Sequence, residues 1–281
     1  MSAVLDPTFV FSQYSLGDYV DCPRRFYLKY VAQQPWPSIE ATPREADVMA
    51  YRAYLRRGAV LHRWIERYWL RLPTPDVANI ADDELRTWWL RFQQADFQDL
   101  PPVRLPEFEL VAALDAYRLY ARFDLLALSE PSDADPRAVI VDWKTLRGAA
   151  PPSLEFLRQR IQTRVYLYTL VTASAPLNNG RALEPERCAM RYWLANFPEQ
   201  PWVEIPYSQT EYERDAEYLR ALVARILKGQ HERDFPMTDD ERQCTYCVYR
   251  TLCARKGAPD APLPDEDWLM PSLDSVPDVE Y

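Results

Sequence analysis

"YRLYARFDLLAL" (Tyr117 to Leu128) and "RAVIVDWKT" (Arg137 to Thr145) decide the fold. Both are apolar, aromatic and β-branched runs of strand length, and "EFELVAAL" (Glu107 to Leu114) supplies a third. The first two in chain order are close enough to form a hairpin through Asp115-Ala116. In "VIVDWKT", Asp142 and Lys144 are two residues apart, so strand alternation points both to one face. Asp124 sits among apolar residues on a neighbouring strand. Buried carboxylates beside a lysine are costly unless paired or metal-bound. Two converging aspartates make a hard, anionic oxygen site suited to Mg²⁺ or Mn²⁺. A lysine alongside can orient or deprotonate a water, or stabilise charge on a phosphate. Taken alone, D-x-K reads as an edge-strand ion pair with Asp124 a turn acid. An aspartate on the preceding strand, 18 residues upstream, brings the metal reading level with it.

Around these strands the chain reads as helices. A helical region covers about Ser12 to Val31, a second helix about Ala46 to Leu70, and "DDELRTWWLRFQQ" (Asp82 to Gln94) a third. A long helix is expected from Ser153 to Thr172, then strands at Cys188–Phe197 and Trp202–Tyr207. Thr210 with Glu213 reads as a capping box for a helix reaching Lys228. This order predicts an α/β core with a helical N-terminal portion. On the second helix, His62 lies four residues after Gly58 and four before Glu66, on one face, and would add an imidazole to the two carboxylates. Gln162 and Tyr166 are likewise spaced i, i+4 on the helix after the third strand; they read either as ordinary helix packing or as partners of a phosphate or water beside Lys144. His231, the other histidine, reads as a surface residue.

The chain of 281 residues is 48% hydrophobic, with 9 Trp, 18 Tyr and 10 Phe, so a sizeable core is available. No stretch approaches the ~20 apolar residues that span a bilayer, and the N-terminus lacks a signal-peptide pattern, so the expectation is a cytoplasmic protein without membrane contact. The net charge of −9 argues at first against nucleic acid, but residues 258–281 carry seven acids and no Lys or Arg, leaving −2 for the body. That Pro-rich acidic tail is expected to be disordered, with residues 1–257 as one domain. No G-x-x-x-x-G-K-[ST] phosphate loop is present, so the chain carries no motor of that type.

"CTYCVYRTLC" places Cys244, Cys247 and Cys253 together, and a tetrahedral soft site needs a fourth ligand. The remaining cysteines are Cys22 and Cys188. Cys188 lies in an apolar strand and reads as a buried core thiol. Which cysteine completes the set, and whether with zinc or an iron–sulfur cluster, the spacing alone leaves open.

The series "GAVLH", "FDLL", "VDWKT" and "QTRVY" resembles the PD-(D/E)xK nuclease superfamily, in its RecB-like branch. "CPRRFYLKY" with "CTYCVYRTLC" resembles that branch's iron–sulfur subset, which includes the AddB-type nuclease domain and the CRISPR-associated RecB-like nucleases. The resemblance runs from Ser12 to Cys253. It implies a restriction-endonuclease-like mixed sheet flanked by helices, with the C-terminal cysteine segment closed onto the N-terminus by a metal cluster. It implies Cys22, Cys244, Cys247 and Cys253 as ligands of a 4Fe-4S cluster, clasping positions 222 residues apart. It also implies His62, Asp124, Asp142 and the Trp143 carbonyl as ligands of Mg²⁺ or Mn²⁺, Lys144 as the catalytic lysine, and Gln162 with Tyr166 as DNA-positioning residues. Where the family often has Gly, this chain has Ala121 or Arg122, and Arg122 alternates onto the Asp124 face to contact phosphate or crowd the site. Arg24, Arg25, Lys29, Arg63 and Arg164 suit a groove for single-stranded DNA, Arg24 and Arg25 foremost. The expected function is a metal-dependent DNA exonuclease on single strands or frayed ends, served by a separate helicase or CRISPR-adaptation subunit. The alternative is a non-catalytic or partner-activated DNA-end-binding subunit of a repair or CRISPR-adaptation complex.

Overall fold

Two strands of equal length form the hairpin expected at Asp115-Ala116: β2 (Val103–Leu114) pairs antiparallel with β3 (Tyr117–Leu128) from end to end. The computed structural model describes residues 5–6, 8–35, 45–130, 133–245 and 247–256. The acidic tail expected over 258–281 lies outside the described residues. Because β2 occupies one edge of β3, the other edge must serve two strands. A short β1 (Val10–Ser12) runs parallel to β3 at Arg118 to Tyr120, and β4 (Ala138–Lys144) runs antiparallel to it at Leu125 to Leu128. Residues 121–124 of β3 therefore lie in a fork between β1 and β4. The sheet continues through β5 (Cys188–Leu194), parallel to β4, and β6 (Trp202–Pro206), antiparallel to β5. It is a mixed sheet, consistent with a restriction-endonuclease-like fold.

Helices cover both faces. On one face pack α1 (Gln13–Asp21), α6 (Ile161–Ala173) and α7 (Gln209–Lys228), over Phe123, Leu126, Ile140, Met190 and Tyr192. On the other, α3 (Glu45–Trp69) and α4 (Asp83–Gln94) bring Leu61, Ile65, Trp88, Trp89 and Phe92 onto Leu125, Val139, Val141, Trp143 and Trp193. All seven residues of β4 are buried, as a central strand covered on both faces requires. Among the described residues no helix is long and apolar enough to cross a membrane.

Several expectations change in detail. β1 is a strand that no periodicity could announce in three residues. The first helical region is α1, then α2 (Pro23–Phe26), then a π-turn at Tyr27–Val31. Cys22 between α1 and α2 is extended, at φ −159° and ψ 103°, as a residue preceding proline tends to be. The helix expected over Ser153–Thr172 is two: α5 (Leu154–Gln159), capped by Ser153, and α6, separated by Arg160 at ψ 140°. The last long helix is capped by Ser208, whose hydroxyl accepts from the Glu211 amide at 3.3 Å, and not by Thr210. Ser208 is the residue with extended backbone there, which leaves Thr210 inside the first turn.

Candidate active site and cysteine cradle

Strand alternation alone would not have placed the acids. Along β3, Phe123 and Leu126 both join the core under α6, while Leu125 joins the opposite one, so the alternation changes phase beside Asp124. The opposing strand carries the matching irregularity. Glu107 sits at φ 48°, a left-handed conformation that costs a non-glycine residue energy. The pairs Pro106↔Leu125 and Phe108↔Phe123 flank Glu107 and Asp124, which stand opposite each other. The β3–β4 ladder ends at Leu125↔Val141, one residue before Asp124 and Asp142. The kink and the fork thus coincide at the acids.

Asp124 Oδ2 accepts from the Trp143 amide at 2.9 Å and lies 3.5 Å from His62 Nδ1. His62 Nε2 is 2.9 Å from the Trp143 carbonyl oxygen, so the ring spans the backbone of β4 and the carboxylate of β3. Burial would raise the Asp124 pKa, but the His62 ring, Lys144 and the Trp143 amide outweigh it and hold the carboxyl below its usual range. One residue further, Lys144 Nζ is 2.8 Å from Asp142 Oδ2, and both side chains are 2% exposed. Gln162 Nε2 donates to Asp142 Oδ1 at 2.8 Å. Tyr166, on the next turn of α6, accepts from Gln13 Nε2 at 3.0 Å and meets the Phe123 ring edge-on. The structure thus brings His62, Asp124, Asp142, Trp143, Lys144, Gln162 and Tyr166 to one fork.

Glu107 was missed. Burial, and then the charge of Asp124, push its carboxyl up to about 7, and Arg122 Nε lies 3.3 Å from it. The signal was available: in a hairpin that turns at Asp115-Ala116, the residue opposite Asp124 is Glu107. Arg122 is turned toward this added acid.

The donor set of carboxylate and carbonyl oxygens with one imidazole fits Mg²⁺ or, better, Mn²⁺. As the side chains stand, among the described residues no three His, Cys, Asp or Glu are arranged to hold a metal ion. Asp142 is turned to Lys144 and Gln162, and His62 to the Trp143 carbonyl.

The cysteines gather elsewhere. Cys22, Cys244, Cys247 and Cys253 are free thiols lining one small cavity with Arg25, Tyr249, Arg250 and Arg255. The extended backbone at Cys22 interrupts the helical run between α1 and α2. Burial pushes the Cys247 thiol up to about 11, against the pull of Arg25. Four thiols around one cavity suit a soft metal or cluster by their chemistry. The two ends of the chain are also tied without it: Arg24 donates from its backbone N–H to the Pro236 carbonyl at 3.0 Å and from Nε to that of Phe235 at 2.9 Å. Cys188 is buried in the core as expected, its thiol pushed up to about 12 by burial.

The basic residues read as a DNA groove are largely engaged within the protein. Arg25 is buried against Asp18 and Asp21, each at 2.7 Å. Arg24 pairs with Glu232, Lys29 with Asp18 and Arg164 with Asp215. Arg63 is exposed on α3.

No curated protein matches the chain. Among solved structures it is similar to one described as "Crystal structure of SSO0001", with 16% identity, a TM-score of 0.42, and coverage of 86% of this chain and 85% of that one. The family model of the PD-(D/E)XK nuclease superfamily matches residues 10–254, from β1 through the last of the clustered cysteines. With its strands, acids and lysine inside that span, the chain belongs to the PD-(D/E)XK nuclease superfamily.

Proposed function

We propose that the protein is a metal-dependent DNA nuclease, an exonuclease acting on single strands or frayed ends. The observation that carries this reading is the fork itself, where Lys144 Nζ lies 2.8 Å from Asp142 Oδ2 beside the Asp124–His62 pair. His62, Asp124, Asp142 and the Trp143 carbonyl would hold Mg²⁺ or Mn²⁺, with Glu107 as a further acid. The cation supplies charge neutralisation on the phosphate and a more acidic water for attack on phosphorus. Lys144 orients that water or offsets charge that develops on the phosphate. Gln162 holds Asp142 in place from α6, and Tyr166 positions the DNA backbone. The buried setting strengthens each of these interactions.

Cys22, Cys244, Cys247 and Cys253 would bind a 4Fe-4S cluster that staples the N-terminal helices to the C-terminal segment. Branch membership, RecB-like with an iron–sulfur cluster, rests on the same residues. A separate helicase or CRISPR-adaptation subunit would supply strand separation, as no phosphate loop is present. A second reading, a partner-activated DNA-end-binding subunit, draws support from the 2% exposure of Lys144 and Asp142, which must open to meet a phosphate. End-labelled single-stranded DNA with Mg²⁺ or Mn²⁺ tests both. Cutting by wild type and none by Lys144→Ala upholds the nuclease; no cutting by either, with the cluster intact by absorbance, turns the reading to the partner-activated subunit.

A further inference from the structure

Gln13 is the first residue of α1, directly after β1 leaves the edge of β3, and it is 5% exposed. Its side chain meets α6, 153 residues away, where Nε2 donates to the Tyr166 hydroxyl at 3.0 Å. Gln162, one turn before Tyr166 on α6, donates to Asp142 Oδ1 at 2.8 Å. The amide oxygens of Gln13 and Gln162 are both buried with no hydrogen-bond partner among the described residues. These facts fix the direction of the network. A phenol hydroxyl has one proton to donate and accepts through its oxygen in the ring plane. Here the Gln13 amide N–H donates to that oxygen, and neither orphaned amide oxygen receives the proton. Burial, Tyr14 and the charges of Asp142 and Asp124 raise the Tyr166 pKa well above its usual value, so that proton stays on the oxygen. Its acceptor must come from outside the network.

We propose that Gln13 is a positioning residue for the DNA backbone, fixing Tyr166 as a hydroxyl donor to a phosphate oxygen of the substrate. The inference rests on the nuclease reading above and extends it to a residue on a different element, one that carries no nuclease motif. It also gives β1 a purpose: the short strand sets where α1 begins, and so where Gln13 meets α6.

The test compares wild type, Gln13→Met, Gln13→Glu, Tyr166→Phe and the Gln13→Met/Tyr166→Phe pair. Binding of a labelled single-stranded oligonucleotide is followed by anisotropy with divalent metal withheld, and kcat and KM are measured with Mn²⁺. Gln13→Met keeps the side-chain length and removes the donor; Kd and KM rise about 3- to 10-fold with kcat nearly unchanged. Tyr166→Phe gives the same loss, and the pair loses no more than either single change. Gln13→Glu, the variant that serves if Gln13→Met does not fold, can only accept when ionised, turns the Tyr166 O–H toward itself and weakens binding at least as much. Fluorotyrosine at position 166 adds a readout without catalysis: its fluorine resonance moves with Gln13→Met in the absence of DNA. Wild-type affinity in both Gln13 variants, or full additivity with Tyr166→Phe, overturns the inference while leaving the nuclease standing. A wild type that neither binds nor cuts single-stranded or duplex DNA overturns the nuclease reading, and the inference falls with it.

Discussion

Two clusters of buried charge in this molecule look alike and are built on opposite principles. Near the N-terminus, Asp18 contacts Arg25, Lys29 at 2.9 Å and the Tyr30 hydroxyl at 2.9 Å, while Asp21 takes the other end of Arg25 at 2.7 Å. Two acids meet two permanent cations. At the fork of the sheet, Glu107, Asp124 and Asp142 meet Lys144 and Arg122, with His62 as the sixth member. Acids exceed permanent cations there; burial and then the charge of Asp124 push Glu107 up to about 7, whereas Asp21 in the first cluster is pushed up to about 6, mainly by burial. A balanced cluster is complete as a scaffold. A cluster with surplus negative charge leaves room for a cation, as the proposed metal site requires.

The largest effect expected from breaking this contrast is at Lys144. Lys144→Ala lowers kcat by about 1000-fold, as loss of a preorganised charge does. It also leaves Asp142 buried without its ammonium, which costs about 3–5 kcal/mol in a melt. The pair Asp142→Asn/Lys144→Met recovers stability without activity, since a neutral pair of similar size replaces a buried ion pair at little cost. Recovery of activity in that pair would refute the role of both residues. Arg25→Ala is expected to destabilise the fold by about 3–5 kcal/mol, because Asp18 and Asp21 lose the cation buried between them. Arg25 also lies beside Cys22 and Cys247, so if these thiols hold the proposed cluster, iron content is expected to fall in the same variant. Iron content that stays at wild-type level while the melting temperature drops would separate the scaffold from the cysteine cradle.

Divalent cations give the next effect. Mn²⁺ at about 100 times its Kd stabilises the folded form by about 2.7 kcal/mol. Asp124→Asn removes that gain and Arg25→Lys keeps it, if the surplus charge at the fork is what the cation meets. Equal protection of Asp124→Asn by Mn²⁺ would place the ion elsewhere and end the contrast.

How far the sequence reveals this depends on how local the signal is. The strands, the D-x-K spacing and His62 were legible because each depends on a few neighbours in the chain. Asp124 was legible as a residue, but its surroundings were not, since alternation fails where Glu107 takes a positive φ. Glu107 itself follows from hairpin register, a count across the turn and not a pattern along it. The break at Arg160 is marked by no Gly or Pro at that position, so the long helix read as continuous. Gln13 had no chance of detection, because its meaning lies wholly in a contact 153 residues away. The cysteines fall between these cases: the triplet is local, and only the resemblance implied Cys22 as its companion.

A third cluster sharpens this contrast in charge count at its smallest scale. Asp215 on α7 is 8% exposed, paired with Arg164 at 2.6 Å and receiving the Tyr207 hydroxyl at 3.0 Å. One acid meets one cation, so it belongs with the scaffold. Burial raises its pKa despite Arg164 and Tyr207. The folded protein therefore binds this proton more tightly than the unfolded chain does. The stabilisation from that proton is full below the ordinary carboxylate range, at about pH 4, and is lost as pH rises through the raised folded value. Asp215→Asn removes the dependence, so the stability of wild type minus that of the variant should fall with rising pH over this interval and then level off. Urea melts across the interval measure it. A difference that rises with pH would mean that Arg164 outweighs burial, and that even a balanced pair draws net stability from its charge. Nuclease activity should not follow either curve, because this carboxylate touches neither the fork nor Gln162.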